Sequence, residues 1–221
     1  MTQINLTSEI IDIDNMLNSQ HESRLVTAKC TKVSRDTAVF ELVNGTKCIV
    51  PVTSFYPNKT WVVDESYIML VVSSNPLQLT TIGTDLVELL AEGVIPEVRD
   101  GQVRIAAVAR QPGVRTKISV VATKPELDAV GACLGRAASR AKSISAMLLG
   151  ERIDIVAYNS DPIVHALNAL AVGVTKTSVS PDETINVYVP QHKLLAALGG
   201  GNINAILAAK LVGRKIIVTG V

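Results

Sequence analysis

Residues 131–156, GACLGRAASRAKSISAMLLGERIDIV, read as the end of a short helix, a tight turn, a second helix and a strand. The apolar run Ala129-Val130-Gly131-Ala132-Cys133-Leu134 stops at Gly135, the residue type that takes a positive φ where a helix ends and the chain reverses. Arg136-Ala137-Ala138 make the turn. From Ser139 the apolar positions Ala141, Ile144, Met147 and Leu148 recur at helical spacing, and Gly150 closes that helix. Arg152 to Val156 alternates and is rich in β-branched residues, the pattern of a strand.

The pattern returns about 64 residues later. Leu194 to Leu198 is a short apolar helix that stops at Gly199-Gly200-Gly201. Asn202 to Val212 reads as a second helix, Gly213 ends it, and Arg214 to Val218 is the strand. Upstream, Gln102–Arg110 and Arg115–Val121 form a hairpin across Gln111-Pro112-Gly113. Asp161-Pro162 opens a helix to about Ala171, with Asp at the cap and Pro at the first helical position. Strands at Thr175–Val179 and Ile185–Val189 follow, so both copies read helix–strand–strand–helix–helix–strand. A Gly turn between two helices is the functional core of a KH domain, whose GXXG loop clamps the backbone of about four nucleotides. Without Cβ atoms, phosphates approach the backbone N–H groups at the start of the second helix, where the helix dipole also favours an anion.

Ahead of the repeat, residues 24–72 read as a small five-stranded antiparallel barrel of the OB type. Its strands include Leu25–Val33, Thr37–Val43, Lys47–Val50 and Tyr67–Val72, with a hairpin turn at Asn44-Gly45. Pro51–Asn58 is a loop, and residues 84–93 form a linking helix. Phe40 reads as core, and Phe55, Tyr56 and Trp61 fall in the loop, so this barrel offers little base stacking. Residues 1–22 are an acidic arm holding Glu9, Asp12, Asp14 and Glu22 without a Lys or Arg. Its apolar residues Ile10, Ile11, Ile13, Met16 and Leu17 fit a terminal helix packed on its own domain, or a segment docking in a basic groove.

The 221 residues are 48% hydrophobic but only 3% aromatic, so the cores are built from Val, Ile, Leu and Ala. A net charge of +1 confines any nucleic-acid footprint to local clusters. Two exist: residues 131–150 hold Arg136, Arg140 and Lys142 with no acid, and residues 184–221 hold Lys193, Lys210, Arg214 and Lys215 with no acid. Each also fits an ordinary solvated face. Cys30, Cys48 and Cys133 have neither zinc nor disulfide-framework spacing, and no signal or spanning segment is visible, so the expected location is the cytoplasm. Gly199-x-Gly201 lacks the preceding strand and third Gly of a dinucleotide fingerprint, and there is no GxxxxGK loop. His21, His165 and His192 stand in unrelated contexts. No enzyme, cofactor or metal is expected.

Ile95-Pro96-Glu97-Val98-Arg99-Asp100-Gly101, Val108-Ala109-Arg110, Arg115-Thr116-Lys117-Ile118, Val130 to Gly135 and Gly150 to Val156, with Asp161-Pro162 and Asn168-Ala169-Leu170, resemble the NusA family of bacterial transcription termination/antitermination factors. The resemblance covers roughly residues 24–221. After the acidic arm at 1–22, it implies an α+β chain: an OB-type barrel of the ribosomal-protein S-one type at 23–75, and two tandem prokaryotic-type KH domains at 76–159 and 160–221. It also implies binding of single-stranded RNA and association with RNA polymerase and its transcription-complex proteins. The residues expected at RNA are Gly135, Arg136, Ala137, Ala138, Arg140 and Lys142 at the first loop, and Lys193, Gly199, Gly200, Gly201 and Asn202 at the second. Arg115 and Lys117 would flank the groove, and Ile118 or Val120 would meet bases.

The departures point the other way. The family begins with a polymerase-binding domain where this chain shows only the acidic arm. Ala138 and Asn202 replace the last Gly of each loop, and Thr80-Thr81-Ile82 stands where the family shows an Arg. These changes fit a divergent, truncated paralogue of phage or mobile-element origin, with weakened loops. The alternative is a protein-interaction module, binding polymerase or a host factor, whose KH surfaces have left RNA.

Overall fold

A computed structural model describes residues 24–57 and 59–221, so the acidic arm lies outside the described residues. The chain forms two compact units, one ending at Val94 and one running from Ile95 to Val221.

The first unit is an antiparallel five-stranded sheet in the order β3-β2-β1-β4-β5. Its strands are β1 (Leu25–Val33), β2 (Thr37–Leu42), β3 (Lys47–Pro51), β4 (Ser66–Ser74) and β5 (Leu77–Thr80). Alternation decides the inner face: Cys30, Phe40 and Cys48 stand opposite one another on three neighbouring strands, and all are buried. At Asn44-Gly45 the turn is held by the Thr46 N–H donating to Asn44 Oδ1 at 3.0 Å, with Gly45 at φ 80°. Between the edge strands the Cys48 thiol lies 3.2 Å from the Leu77 carbonyl, which brings the sheet close to closure. The fifth strand falls past residue 75, later than the sequence pattern placed the end of the barrel.

Both phenylalanines, the lone tryptophan and two of the four tyrosines fill this barrel. Phe55 and Trp61 stack with ring centroids 3.5 Å apart, and Phe40 meets the Trp61 ring edge-on at 4.6 Å. Phe55, Tyr56 and Trp61 thus turn inward, and their rings are core side chains. Helix α1 (Thr84–Val94) buries Leu86, Val87, Leu90 and Ala91, and its Asp85 pairs with Arg24 at 2.7 Å.

The second unit contains the repeat. The first copy runs α2 (Pro96–Arg99), β6 (Val103–Gln111), β7 (Arg115–Ala122), α3 (Ala129–Leu134), α4 (Ser139–Met147) and β8 (Arg152–Ala157). The second runs α5 (Pro162–Leu170), β9 (Lys176–Val179), β10 (Ile185–Val189), α6 (Leu194–Leu198), α7 (Ile203–Val212) and β11 (Ile216–Gly220). In each, the first two strands pair antiparallel and the third returns parallel to the middle one. Asp161 caps α5, accepting from the Ile163 N–H at 2.8 Å, with Pro162 at the first helical position.

The two copies share a core. Ala107, Ala109 and Val156, on one face of the β6-β7-β8 sheet, pack into the cluster built by Ala166, Leu170, Leu207 and Leu211 of α5 and α7. The small side chains let the helices approach the sheet closely. On the same face Ser119 Oγ is hydrogen bonded to His165 Nε2 of α5 at 2.9 Å. Strand β7 is therefore covered on both sides, and Thr116 to Val120 are all buried. The three cysteines are free and buried, and burial pushes the Cys133 thiol up to about 11. Among the described residues no single helix is long and apolar enough to cross a membrane.

Candidate nucleic-acid interface

The two glycine turns have one backbone. In the first, Gly135 sits at φ 69°, ψ 177°, and Ala137 and Ala138 are both left-handed at φ 51° and 58°. In the second, Gly199 sits at φ 72°, ψ 166°, and Gly201 and Asn202 are left-handed at φ 60° and 63°. Their hydrogen bonds match too. The N–H of Gly135 donates to Gly131 O at 2.9 Å and that of Ala138 to Gly135 O at 3.1 Å; Gly199 and Asn202 donate to Leu195 O at 2.8 Å and Gly199 O at 3.0 Å.

The leading glycine is required in both. A Cβ on Gly135 would lie 2.9 Å from Arg140 Cγ, and one on Gly199 would lie 2.9 Å from Asn204 Cβ. Beyond it the turn is open: Cβ atoms on Gly200 or Gly201 would meet nothing within 4 Å. Ala138 has no polar atom with which to cap α4, and the left-handed Asn202 makes no side-chain cap on α7. The first N–H of each helix, on Ser139 and Ile203, donates to the Arg136 and Gly200 carbonyls, and each turn is exposed ahead of a helix N-terminus, where the dipole favours an anion.

The expected cations divide into two groups. Arg136 and Lys142 are exposed at the first loop, with Lys142 Nζ donating to the Ala137 carbonyl at 2.9 Å. Lys193 is half-buried, its ammonium alongside Gly173. Arg140 does not face outward. It pairs with Glu97 of α2 at 2.7 Å and also donates to the Ala132 carbonyl, tying the loop to both neighbouring helices. Asn204, its counterpart in the second copy, donates to Ala197 O at 2.9 Å and Leu170 O at 3.1 Å. Both are positioning residues.

Arg115 and Lys117 are a correction to the expected groove. Both bind Asp154, Arg115 at 2.5 Å and Lys117 at 2.8 Å, and Arg152 adds a third contact at 3.0 Å. Lys117 is fully buried and stands opposite Ala109 and beside Asp154 in register, on the face covered by the second copy. Burial pushes the Lys117 ammonium down against the opposing pull of Asp154. Burial alone would raise the Asp154 carboxyl, but Lys117 and Arg115 reverse this and hold it below the usual range. Ile118 and Val120, 1% and 2% exposed, cannot meet bases.

Sequence reasoning also missed the Glu151 centre. Arg110 grips its carboxylate through Nε and Nη2, each at 2.9 Å. The Gly113 N–H donates at 2.8 Å, and the Thr116 hydroxyl donates to Oε1. A buried pair with this many partners ties the β6-β7 hairpin to the start of β8. The signal was the joint presence of Val108-Ala109-Arg110 and Gly150-Glu151, which are far apart in sequence and in contact here.

A glycine loop between two helices, set on a sheet whose third strand returns parallel, defines the KH domain of the prokaryotic type. The chain carries this arrangement twice, after a nearly closed OB-type barrel. Residues 82–158 match the model of the NusA-like first KH domain. Over 133 residues the chain is 47% identical to the transcription termination/antitermination protein NusA of Halalkalibacterium halodurans, covering 59% of this chain and 35% of that one. Against NusA of Bacillus subtilis the identity is 43% over 133 residues, covering 59% and 36%. Against NusA of Thermus thermophilus it is 30% over 205 residues, covering 88% and 52%. The chain is NusA-like, and it spans between about a third and about half the length of these relatives.

Proposed function

We propose that the chain is an RNA-binding transcription factor of the NusA type, holding single-stranded RNA at its KH loops while acting with RNA polymerase on elongation, termination or antitermination. The observation that carries this reading is the shared loop backbone, which twice sets an exposed turn ahead of a helix that no side chain caps. The residues proposed to meet RNA are Gly135 to Ala138 with Lys142, and Gly199 to Asn202, with Lys193 flanking. Arg115, Lys117 and Arg140 act behind them, as supports. The same reading takes the barrel as one domain and each copy of the repeat as another. The Cβ atoms of Ala138 and Asn202 weaken the grip by standing where a phosphate approaches.

The test is binding of the full chain to a panel of short single-stranded RNAs at several salt concentrations. Each phosphate contact contributes a log–log slope of about −0.7. Measurable affinity with a negative slope supports the reading. A flat salt response, or no binding at micromolar protein, overturns it.

A further inference from the structure

The outer face of the barrel carries a patch with unmatched chemistry. Strand β3 alternates, turning Cys48 and Val50 inward and Lys47 and Ile49 outward, and Ile49 is 68% exposed. The register sets Lys32, Val39 and Ile49 in one row across β1, β2 and β3, and Lys29, Glu41 and Lys47 in the next. Side chains opposite one another on a sheet face are neighbours. In the second row each cation has an acid: Lys29 pairs with Asp64 at 2.8 Å and Lys47 with Glu41 at 3.6 Å. In the first row the cation stands beside aliphatic side chains instead. Among the described residues neither Lys32 nor Arg35, in the turn after β1, forms an ion pair, and both are exposed.

Aliphatic surface beside free cations suits a segment that is both apolar and acidic. Residues 9–17, EIIDIDNML, have that composition: Glu9, Asp12 and Asp14 stand among Ile10, Ile11, Ile13, Met16 and Leu17, with no Lys or Arg. We propose that this segment docks on the β1-β2-β3 face of its own barrel, with Asp12 and Asp14 at Lys32 and Arg35 and its aliphatic side chains over Val39 and Ile49. The chain is long enough. Lys32 lies eight residues along β1 from Arg24, about 26 Å of strand. Asp14 lies ten residues ahead of Arg24, and that connection spans up to about 33 Å when extended. Exposed ion pairs contribute little by themselves, so covering Ile49 and Val39 supplies the attraction and the charges fix where the segment sits. Docked there, the arm covers the face on which barrels of the OB type take oligonucleotides.

The experiment places a nitroxide label on the full chain through Asn15→Cys and reads the backbone amide signals by NMR, without RNA. The three native cysteines are buried, so the label goes to the introduced one. The amides of Val39, Glu41, Lys47 and Ile49 are expected to lose most of their intensity and to regain it when the label is reduced. Lys32→Glu with Arg35→Glu should restore those signals with the label still active. Adding Asp12→Lys with Asp14→Lys to that variant should bring the loss back. Circular dichroism checks that each form is folded. Full intensity at the four amides in the first labelled form overturns the docking, as does a loss spread evenly over the barrel. A loss that survives the Lys32/Arg35 reversal, or one that the fourfold variant does not bring back, overturns the pairing of charges. In a mixture of labelled chain with isotope-enriched, unlabelled chain, loss at the same amides would put the arm of a second copy on this face and overturn docking within one chain.

Discussion

Replacing Gly199 by Ala probes the loop backbone directly. The pair φ 72°, ψ 166° lies in a region that is essentially closed to residues with a Cβ, at a cost of about 1–3 kcal/mol. The new methyl would also stand 2.9 Å from Asn204 Cβ and 3.1 Å from its backbone nitrogen. Asn204 cannot yield easily, because its amide is tied to Ala197 O and Leu170 O. Crowding of this kind adds about 1–3 kcal/mol, while the stiffer unfolded chain returns about 0.4–1 kcal/mol. The net loss is roughly 3 kcal/mol. Gly135→Ala shares the backbone region, but its methyl meets the flexible Arg140 Cγ, so roughly 2 kcal/mol is expected. Gly200→Ala has ordinary φ and open space, so it stays within about 0.5 kcal/mol of the unaltered chain. Urea unfolding followed by far-UV circular dichroism measures all three. With a denaturant slope of about 2 kcal/mol/M, Gly199→Ala moves the midpoint down by about 1.5 M. Equal midpoints for Gly199→Ala and Gly200→Ala would refute the argument.

Ala138→Gly relieves a left-handed alanine and should raise stability by about 0.5–1 kcal/mol while tightening RNA binding; lower affinity would contradict the proposed intrusion of its Cβ. Glu151→Gln leaves Arg110 buried beside a neutral partner, so a loss of about 3–5 kcal/mol is expected in urea, against little change for exposed Glu65→Gln. Because Asp154 is held below the usual carboxylate range when folded, its stabilisation is present above the unfolded value and is lost as pH falls through the folded one. Asp154→Asn should therefore flatten the acid limb of a stability–pH curve, and an unchanged limb would count against the cluster. His165 is likewise depressed by burial, so the same sign applies at its higher range, and His165→Gln should remove that step.

The repeat was legible because its marks are local: a glycine at each turn, helical spacing after it, and β-branched strands. Likewise, Asn44-Gly45 and Asp161-Pro162 act within a few residues of themselves. What the sequence hid depends on distant partners. Lys117 sits in an alternating strand where a cation normally marks the solvated face, and only the packing of α5 and α7 on Ala107 and Ala109 reverses that. Arg140 has the spacing of a loop cation, yet its carboxylate partner, Glu97, lies in the helix that opens the copy. The 51–61 segment carries loop-forming residues, and burial of Phe55 and Trp61 against Phe40 is a property of the closed barrel.

The sorting of cations follows from the way the two copies are joined. Covering the β6-β7-β8 sheet with α5 and α7 removes that face from solvent, so any charge on it needs an internal partner. Asp154 supplies one for Arg115 and Lys117, while on the opposite face Glu151 serves Arg110 near the β6-β7 turn. What remains for a ligand is the end of the unit where each loop meets its second helix. There the first copy keeps Arg136 and Lys142, and the second exposes Leu195 and Ile206. Moving one charge across that divide tests the scheme. Ile206→Lys places a cation at the position of Lys142 on the same backbone, at a 43% exposed site that tolerates it. If a phosphate approaches the second loop as it does the first, the added lysine gains a contact, and the log–log slope should steepen by about 0.7. An unchanged slope would show that no phosphate is seated there, and the second loop would then fall outside the proposed interface.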